Sequence, residues 1–285
     1  MNTPWLERRV VAFAHQGGSF EAPSSTLAAI AHAIERGATA MELDVHATKD
    51  RQIVVCHDDS VDRTTNHRGE IAALTLAQLS EMDNAFWWVH GAAVSPGLDE
   101  HEYLHRGKAP NDERYAIVTL EQVVRAFPGV LLNLDIKRSD PEVEPYEQLL
   151  ADELRRLERT DSVIVASFRD DAIQRFRSLA PEVATSAATG ETAAFYFSSR
   201  EGSTPEVPPV CAFQVPATYG DLTVVDEQFV DDAHRAGVAV HVWTINDVDE
   251  MSRLLDVGVD GIISDTPTPL ARLLEQRGCA WDGVL

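Results

Sequence analysis

Apolar residues along the chain gather into eight short runs. They are VVAFAH (10–15), AMELDV (40–45), VLLNLDIK (130–137), VIVASF (163–168), VATSAA (183–188), CAFQV (211–215), VAVHVWTI (238–245) and GIISD (261–265). Each has the length of a strand and is nearly continuous, the pattern of strands covered on both faces. Helical spacing fills most of the gaps. SSTLAAIAHAIERG (24–37) opens on serines suited to an N-cap and stops at Gly37. NDVDEMSRLLDVG (246–258) opens on Asn246 and stops at Gly258, and VDEQFVDDAHRAG (225–237) and DAIQRFRSLA (171–180) follow the same plan. Strand then helix, repeated eight times, predicts an α/β protein of the (β/α)8 TIM-barrel type, one domain over residues 1–285. A doubly wound open sheet is the alternative, weakened because no glycine-rich dinucleotide fingerprint follows the first strand.

Two regions break the rhythm. Residues 84–116 are aromatic and turn-rich, too long for a simple connection, and are expected to form a lid-like insertion. Residues 198–210 are proline-rich and read as a surface loop. A third irregularity follows the second strand. Only seven residues separate Val45 from Ile53, too few for a parallel crossover, so IVVCHD must return antiparallel as a hairpin excursion. With the turn centred on Asp50-Arg51, Asp44 would sit opposite His57.

Composition narrows the function classes. The formal net charge of −22 argues against nucleic acid and anionic membrane as partners. No run reaches the length of a membrane span or a signal-peptide core, so no stable membrane insertion and a cytoplasmic location are expected. Three cysteines without CxxC spacing fit a reduced compartment, and Cys56 reads as a small buried hydrophobe.

The strand ends carry the candidate chemistry. Glu42 and Asp44 are two apart on one strand face, as are Asp135 and Lys137, and His15 ends the first strand before two glycines near by. In a barrel these positions converge with His57 at the C-terminal rim, where barrel enzymes work. Three carboxylates offer an oxygen-rich site for Mg2+ or Ca2+, and two histidines without thiolates suit acid and base work. The competing reading pairs Glu42 and Asp44 with Lys137 and Arg63 as structural salt bridges. His46 shares the face of Asp44 higher on the hairpin, and His241 reads as a packing residue facing the same way as Trp243.

These blocks resemble the glycerophosphodiester phosphodiesterase family, a TIM barrel related to bacterial phosphatidylinositol phospholipase C. AHQGG (14–18), PSST (23–26), MELDVHATKD (41–50), IVVCHD (53–58), DRTT (62–65), LDIK (134–137), ASF (166–168) and HVWTIN…GVDGIISDTP (241–267) match its pattern in order. The resemblance implies hydrolysis of a small glycerophosphodiester to glycerol phosphate and an alcohol. His15 and His57 would be the acid/base pair, and Glu42, Asp44 and Asp135 would hold the divalent cation. Lys137 would neutralise phosphate charge, and Trp243 would pack against the glycerol end. In such enzymes the glycerol 2-hydroxyl attacks phosphorus and water then opens the cyclic phosphate. Four departures stand out: Gln16 for Arg, Asp135 for Glu, PSST for PENT, and Asp50-Arg51 for Asp-Gly. Gln16 would give the phosphate an amide in place of a guanidinium fork. Two rival functions remain open. One is a phospholipase D- or C-type activity on lysophospholipids, favoured if Trp87-Trp88 is exposed. The other is a non-catalytic binding protein on a degenerate barrel.

Overall fold

The computed structural model describes residue 5 and residues 9–137, 146–201, 207 and 209–281. The chain opens with β1 (Val11–His15) and β2 (Ala40–Ala47), and β2 turns back into a short arm, β3 (Ile53–Val55). The insertion contributes β4 (Trp88–Val89) and β5 (Ala93–Val94), a small antiparallel pair. Then come β6 (Leu131–Ile136), β7 (Val163–Ala166), β8 (Ala184–Thr185) and β9 (Ala212–Pro216). A second small hairpin follows, β10 (Thr218–Tyr219) and β11 (Leu222–Thr223), before β12 (Ala239–Trp243) and β13 (Gly261–Ser264).

All eight predicted barrel runs are strands. They pair in parallel in the order β8-β7-β6-β2-β1-β13-β12-β9. The two ends meet where Ala187 N–H donates to Ala212 O and Cys211 N–H donates to Thr185 O, both at 2.9 Å. A TIM barrel results, its wall rich in the β-branched residues that suit a doubly covered sheet.

Helices coat the outside, each buried on one face. Thr26 caps the helix Leu27–Glu35, and Asp247 caps Val248–Val257. The caps therefore fall one or two residues past the positions that the sequence suggested, and Asn246 is left free for another partner. Inside the barrel, Trp5, Phe13, Leu131, Ile164 and Ile263 pack together, each burial contributing about 1.5–3 kcal/mol. His241 joins them with its ring 4.9 Å from that of Phe13. Burial drives its pKa down to about 3, so it packs as a neutral ring, as its place in the sequence suggested.

The hairpin register differs from expectation by one residue. Val45 faces Val55 and His46 faces Val54, so Asp44 lies opposite Cys56 and not His57. Thr48 N–H donates to Gln52 O, which leaves three residues in the turn, and Arg51 takes the left-handed conformation at φ 61°. A three-residue hairpin of this kind normally carries glycine there, and its absence hid the turn length. Cys56 sits among Val54, Val61, Ile71 and Leu79, and burial pushes its thiol up to about 12.

The insertion expected to be lid-like stays out of the cavity lining. None of residues 84–116 lines the cavity at the barrel mouth. The indole N–H of Trp87 donates to Thr65 O and that of Trp88 to Ser19 O, each at 2.8 Å, which ties the insertion to the loop after β3 and to the loop after β1. Of the expected loop at 198–210, the first residues extend the helix Thr189–Arg200, and residues 202–206 and 208 lie outside the described residues.

A glycine in β13 tests the interior packing. A Cβ on Gly261 would lie 2.7 Å from His241 Cδ2 and 2.8 Å from Phe13 Cε2. Gly261→Ala is expected to cost about 1–3 kcal/mol of stability, measured by urea denaturation, whereas an unchanged midpoint would contradict the packing.

Candidate active site

Strand register builds the site. His15 at the end of β1 is in line with Glu42 of β2, and Glu42 with Asn133 of β6. One step further along, Asp44 is in line with Asp135. Lys137 follows on the same face. These residues and His57 line one side of a cavity of about 600 Å³. Phe168, Tyr196, Phe197, Tyr219, Leu222 and Trp243 line the same cavity.

Each histidine is held by a carboxylate through Nδ1. His15 Nδ1 donates to Asp265 Oδ1 at 2.7 Å. Asp265 in turn accepts from Ser19 Oγ at 2.6 Å and from Asn246 Nδ2 at 2.8 Å. His57 Nδ1 donates to Asp58 Oδ1 at 2.6 Å, and Arg63 Nε donates to Asp58 Oδ2 at 2.6 Å. Burial works against the charge on Asp58, but the hydrogen bonds from His57 and Arg63 hold it well below the usual carboxylate range. The two imidazoles meet edge to face with centroids 6.4 Å apart. Burial disfavours a charged His15, yet the Asp265 hydrogen bond and the charges of Glu42, Asp265 and Asp44 outweigh it and lift its pKa to about 9. His46 is buried behind this pair, where its Nε2 donates to His57 O at 3.4 Å and helps fix the backbone of the arm. It does not line the cavity.

The carboxylates are crowded. Lys137 Nζ bridges Asp44 Oδ1 at 2.8 Å and Asp135 Oδ2 at 2.9 Å. The competing salt-bridge reading is thus met for Asp44 with Lys137, whereas Arg63 pairs with Asp58. The Tyr146 hydroxyl lies 2.8 Å from Val45 O and 2.7 Å from Lys137 O, which fixes the ends of both strands. Asp44 Oδ2 and Asp135 Oδ1 are buried with no hydrogen-bond partner. Burial and the charge of Asp44 push Glu42 up to about 8, and the same two causes raise Asp135 against the pull of Lys137. The Asp44 and Asp135 charges hold the buried Lys137 ammonium well above its usual range. Among the described residues no three Asp, Glu, His or Cys side chains already converge as a ligand set. Orphaned carboxylate oxygens and proton-hungry neighbours nevertheless fit a further cation as a hard-oxygen guest.

Comparison with known proteins places the chain in a family. The model of the glycerophosphoryl diester phosphodiesterase family matches residues 15–268. The chain belongs to this family. Among relatives, it is 33% identical to YhdW of Bacillus subtilis over 259 residues, covering 89% of this chain and 93% of YhdW. It is 27% identical to the glycerophosphodiester phosphodiesterase of Caldanaerobacter subterraneus, over 95% of this chain and 100% of that one. A phosphodiesterase of Oleispira antarctica, solved in complex with the product sn-glycerol-3-phosphate, shares the fold with a TM-score of 0.70 at 24% identity, covering 95% of this chain and 99% of that one. The chain is therefore a phosphoric diester hydrolase.

Within this phosphodiesterase, His15, His57, Glu42, Asp44, Asp135, Lys137 and Trp243 all line one cavity. Gln16 does not. Its backbone is left-handed at φ 53°, its N–H donates to Glu42 O at 2.8 Å, and its side-chain nitrogen lies 3.3 Å from His15 Nε2. Gln16 is thus placed to act on His15. Asp265, Asn246, Asp58 and Arg63 were missed as a positioning set. Their signal is present, since Asp265 ends the last strand and Asp58 follows His57 directly, but a carboxylate that only orients a ring has no spacing of its own. Among the described residues, no helix is long and apolar enough to cross a membrane.

The electrostatics predict a titration. In metal-free protein the His15 imidazole should titrate near pH 9 by NMR, and in Asp265→Asn about one pH unit lower or more. Because the folded pKa is raised from 6.5, this group stabilises the fold fully below about pH 6.5, and the contribution is lost as pH rises through 9. An unchanged His15 titration in the variant would refute the pairing.

Proposed function

We propose that this enzyme hydrolyses glycerophosphodiesters to glycerol phosphate and an alcohol, with His15 and His57 as the acid/base pair. The observation that carries this reading is the double pairing: two imidazoles edge to face in one cavity, each with Nδ1 committed to an aspartate. That arrangement fixes each tautomer and leaves Nε2 to handle protons. One imidazole takes the proton of the attacking hydroxyl, and the other gives a proton to the departing alcohol. Reversing these roles lets water open the cyclic phosphate. Glu42, Asp44 and Asp135 are the residues that would hold a divalent cation, Mg2+ or Ca2+. When bound, such an ion supplies positive charge to the non-bridging phosphoryl oxygens. Lys137, held between two aspartates, brings a fixed ammonium to the same side of the cavity. Trp243 offers a flat wall for the glycerol carbons.

The reading as a binding protein draws no support from the site, because both orienting aspartates are kept. A lysophospholipid reading resting on exposed Trp87-Trp88 loses that basis, since Trp88 is buried and Trp87 half-buried.

Single variants His15→Ala and His57→Ala should each lower the turnover of glycerophosphocholine by about 10²–10⁴-fold while keeping the circular dichroism spectrum and melting behaviour of a folded barrel. Released glycerol phosphate is the readout. Near wild-type turnover in either variant would remove that histidine from the mechanism.

A further inference from the structure

Below the acid/base pair the barrel interior holds a polar pair that the proposed chemistry does not use. Gln214 of β9 and His241 of β12 are register partners. Both face inward, where a barrel layer is normally filled by branched apolar side chains. His241 is fully buried against Phe13 and Trp5, and its Nδ1 lies 3.3 Å from the Gln214 side-chain nitrogen. Gln214 is half-buried and lines the catalytic cavity, whereas His241 does not. Trp243 stands two residues further along β12 on the same face as His241, so Gln214 sits one layer beneath the indole. An apolar pair would fill this layer without desolvating an amide and an imidazole. Breaks of this kind in a local packing rule collect where a site needs them.

We propose that Gln214 is a specificity-determining residue, held by His241 to bind the terminal hydroxyl of the substrate's glycerol. The proposal rests on the proposed hydrolysis and adds how the site reads its substrate. In that reaction the 2-hydroxyl is committed to phosphorus, and Trp243 covers the glycerol carbons. The terminal hydroxyl is then the polar group of the glycerol that still needs a partner, and Gln214 is the amide one layer beneath the indole. A hydroxyl both donates and accepts, so it matches either end of an amide. The buried, neutral imidazole holds the end that the ligand does not take. His241 touches no substrate and acts only through Gln214, as a positioning residue. A ligand without the terminal hydroxyl leaves the fixed amide unpaired, and an unpaired desolvated polar group costs more than a missing contact.

The test compares glycerophosphocholine with its deoxy counterpart, propane-1,2-diol phosphocholine of the same configuration at the secondary carbon. The counterpart keeps the attacking hydroxyl and the leaving choline and lacks only the terminal hydroxyl. Released choline is the readout for both. The ratio of the two kcat/KM values does not depend on the fraction of active enzyme, so a partly folded variant cannot mimic a change in it. Wild-type enzyme should favour glycerophosphocholine by about 10–100-fold, the factor expected when a polar group of the site loses its partner. Gln214→Met, which keeps the shape of the side chain and removes the amide, should bring the ratio toward one. His241→Leu, which keeps a buried side chain and releases the amide, should lower the ratio as well. A wild-type ratio near one overturns the proposal, and so does a high ratio that Gln214→Met leaves unchanged. A ratio lost in Gln214→Met but kept in His241→Leu overturns the positioning role of His241 alone. No choline released from either compound overturns the proposed hydrolysis as well.

Discussion

The structure turns on two aspartates that the barrel forces together. Asp44 and Asp135 are register partners on neighbouring parallel strands. Strands lie about 4.8 Å apart, so the two carboxylates cannot separate without breaking the ladder. Both are buried, and Glu42 adds a third acid on the same face. Like charges in such a place survive only beside positive charge. Lys137 supplies one unit of it and satisfies one oxygen of each aspartate. The remaining two oxygens are without partners, and Glu42 is driven toward its neutral form. The cluster is under-neutralised by design of the register, and a divalent cation would complete it.

The histidines depend on that cluster and on a second layer of acids. His15 faces the crowded side and draws its high pKa partly from Glu42 and Asp44, so the charge state of the acid cluster sets how readily this ring holds a proton. Asp265 keeps the ring oriented whichever form it takes. It reaches His15 because β13 and β1 are neighbours in the closed sheet, although the residues are 250 positions apart in the chain. Asn246, not needed as a helix cap, holds Asp265 from the other side. His57 has a shorter support, with Asp58 adjacent and Arg63 five residues on.

Much of this was legible in the sequence because period-two patterning is strict on barrel strands. Residues such as Glu42 with Asp44, or Asp135 with Lys137, share a face wherever the strand lies, and strand ends locate the rim. What escaped depends on local conformation or on closure. The hairpin register hung on Arg51 adopting a left-handed backbone that sequence rules reserve for glycine. The Asp265 pairing needs the last strand to close on the first. The insertion reads as a lid by composition, yet the indole hydrogen bonds of Trp87 and Trp88 pull it to the flank. The apolar lining of the cavity was invisible, since Phe168, Phe197, Tyr219 and Leu222 belong to no shared spacing.

A divalent cation at the paired aspartates, as proposed above, is the feature most open to direct test. Calorimetric titration of Mg2+ and Ca2+ into metal-stripped protein, beside Asp44→Asn, tests it most directly. The account predicts about one ion bound per chain, with affinity at least about tenfold weaker once Asp44 loses its charge. No saturable binding of either ion, or binding that Asp44→Asn leaves unchanged, would contradict it.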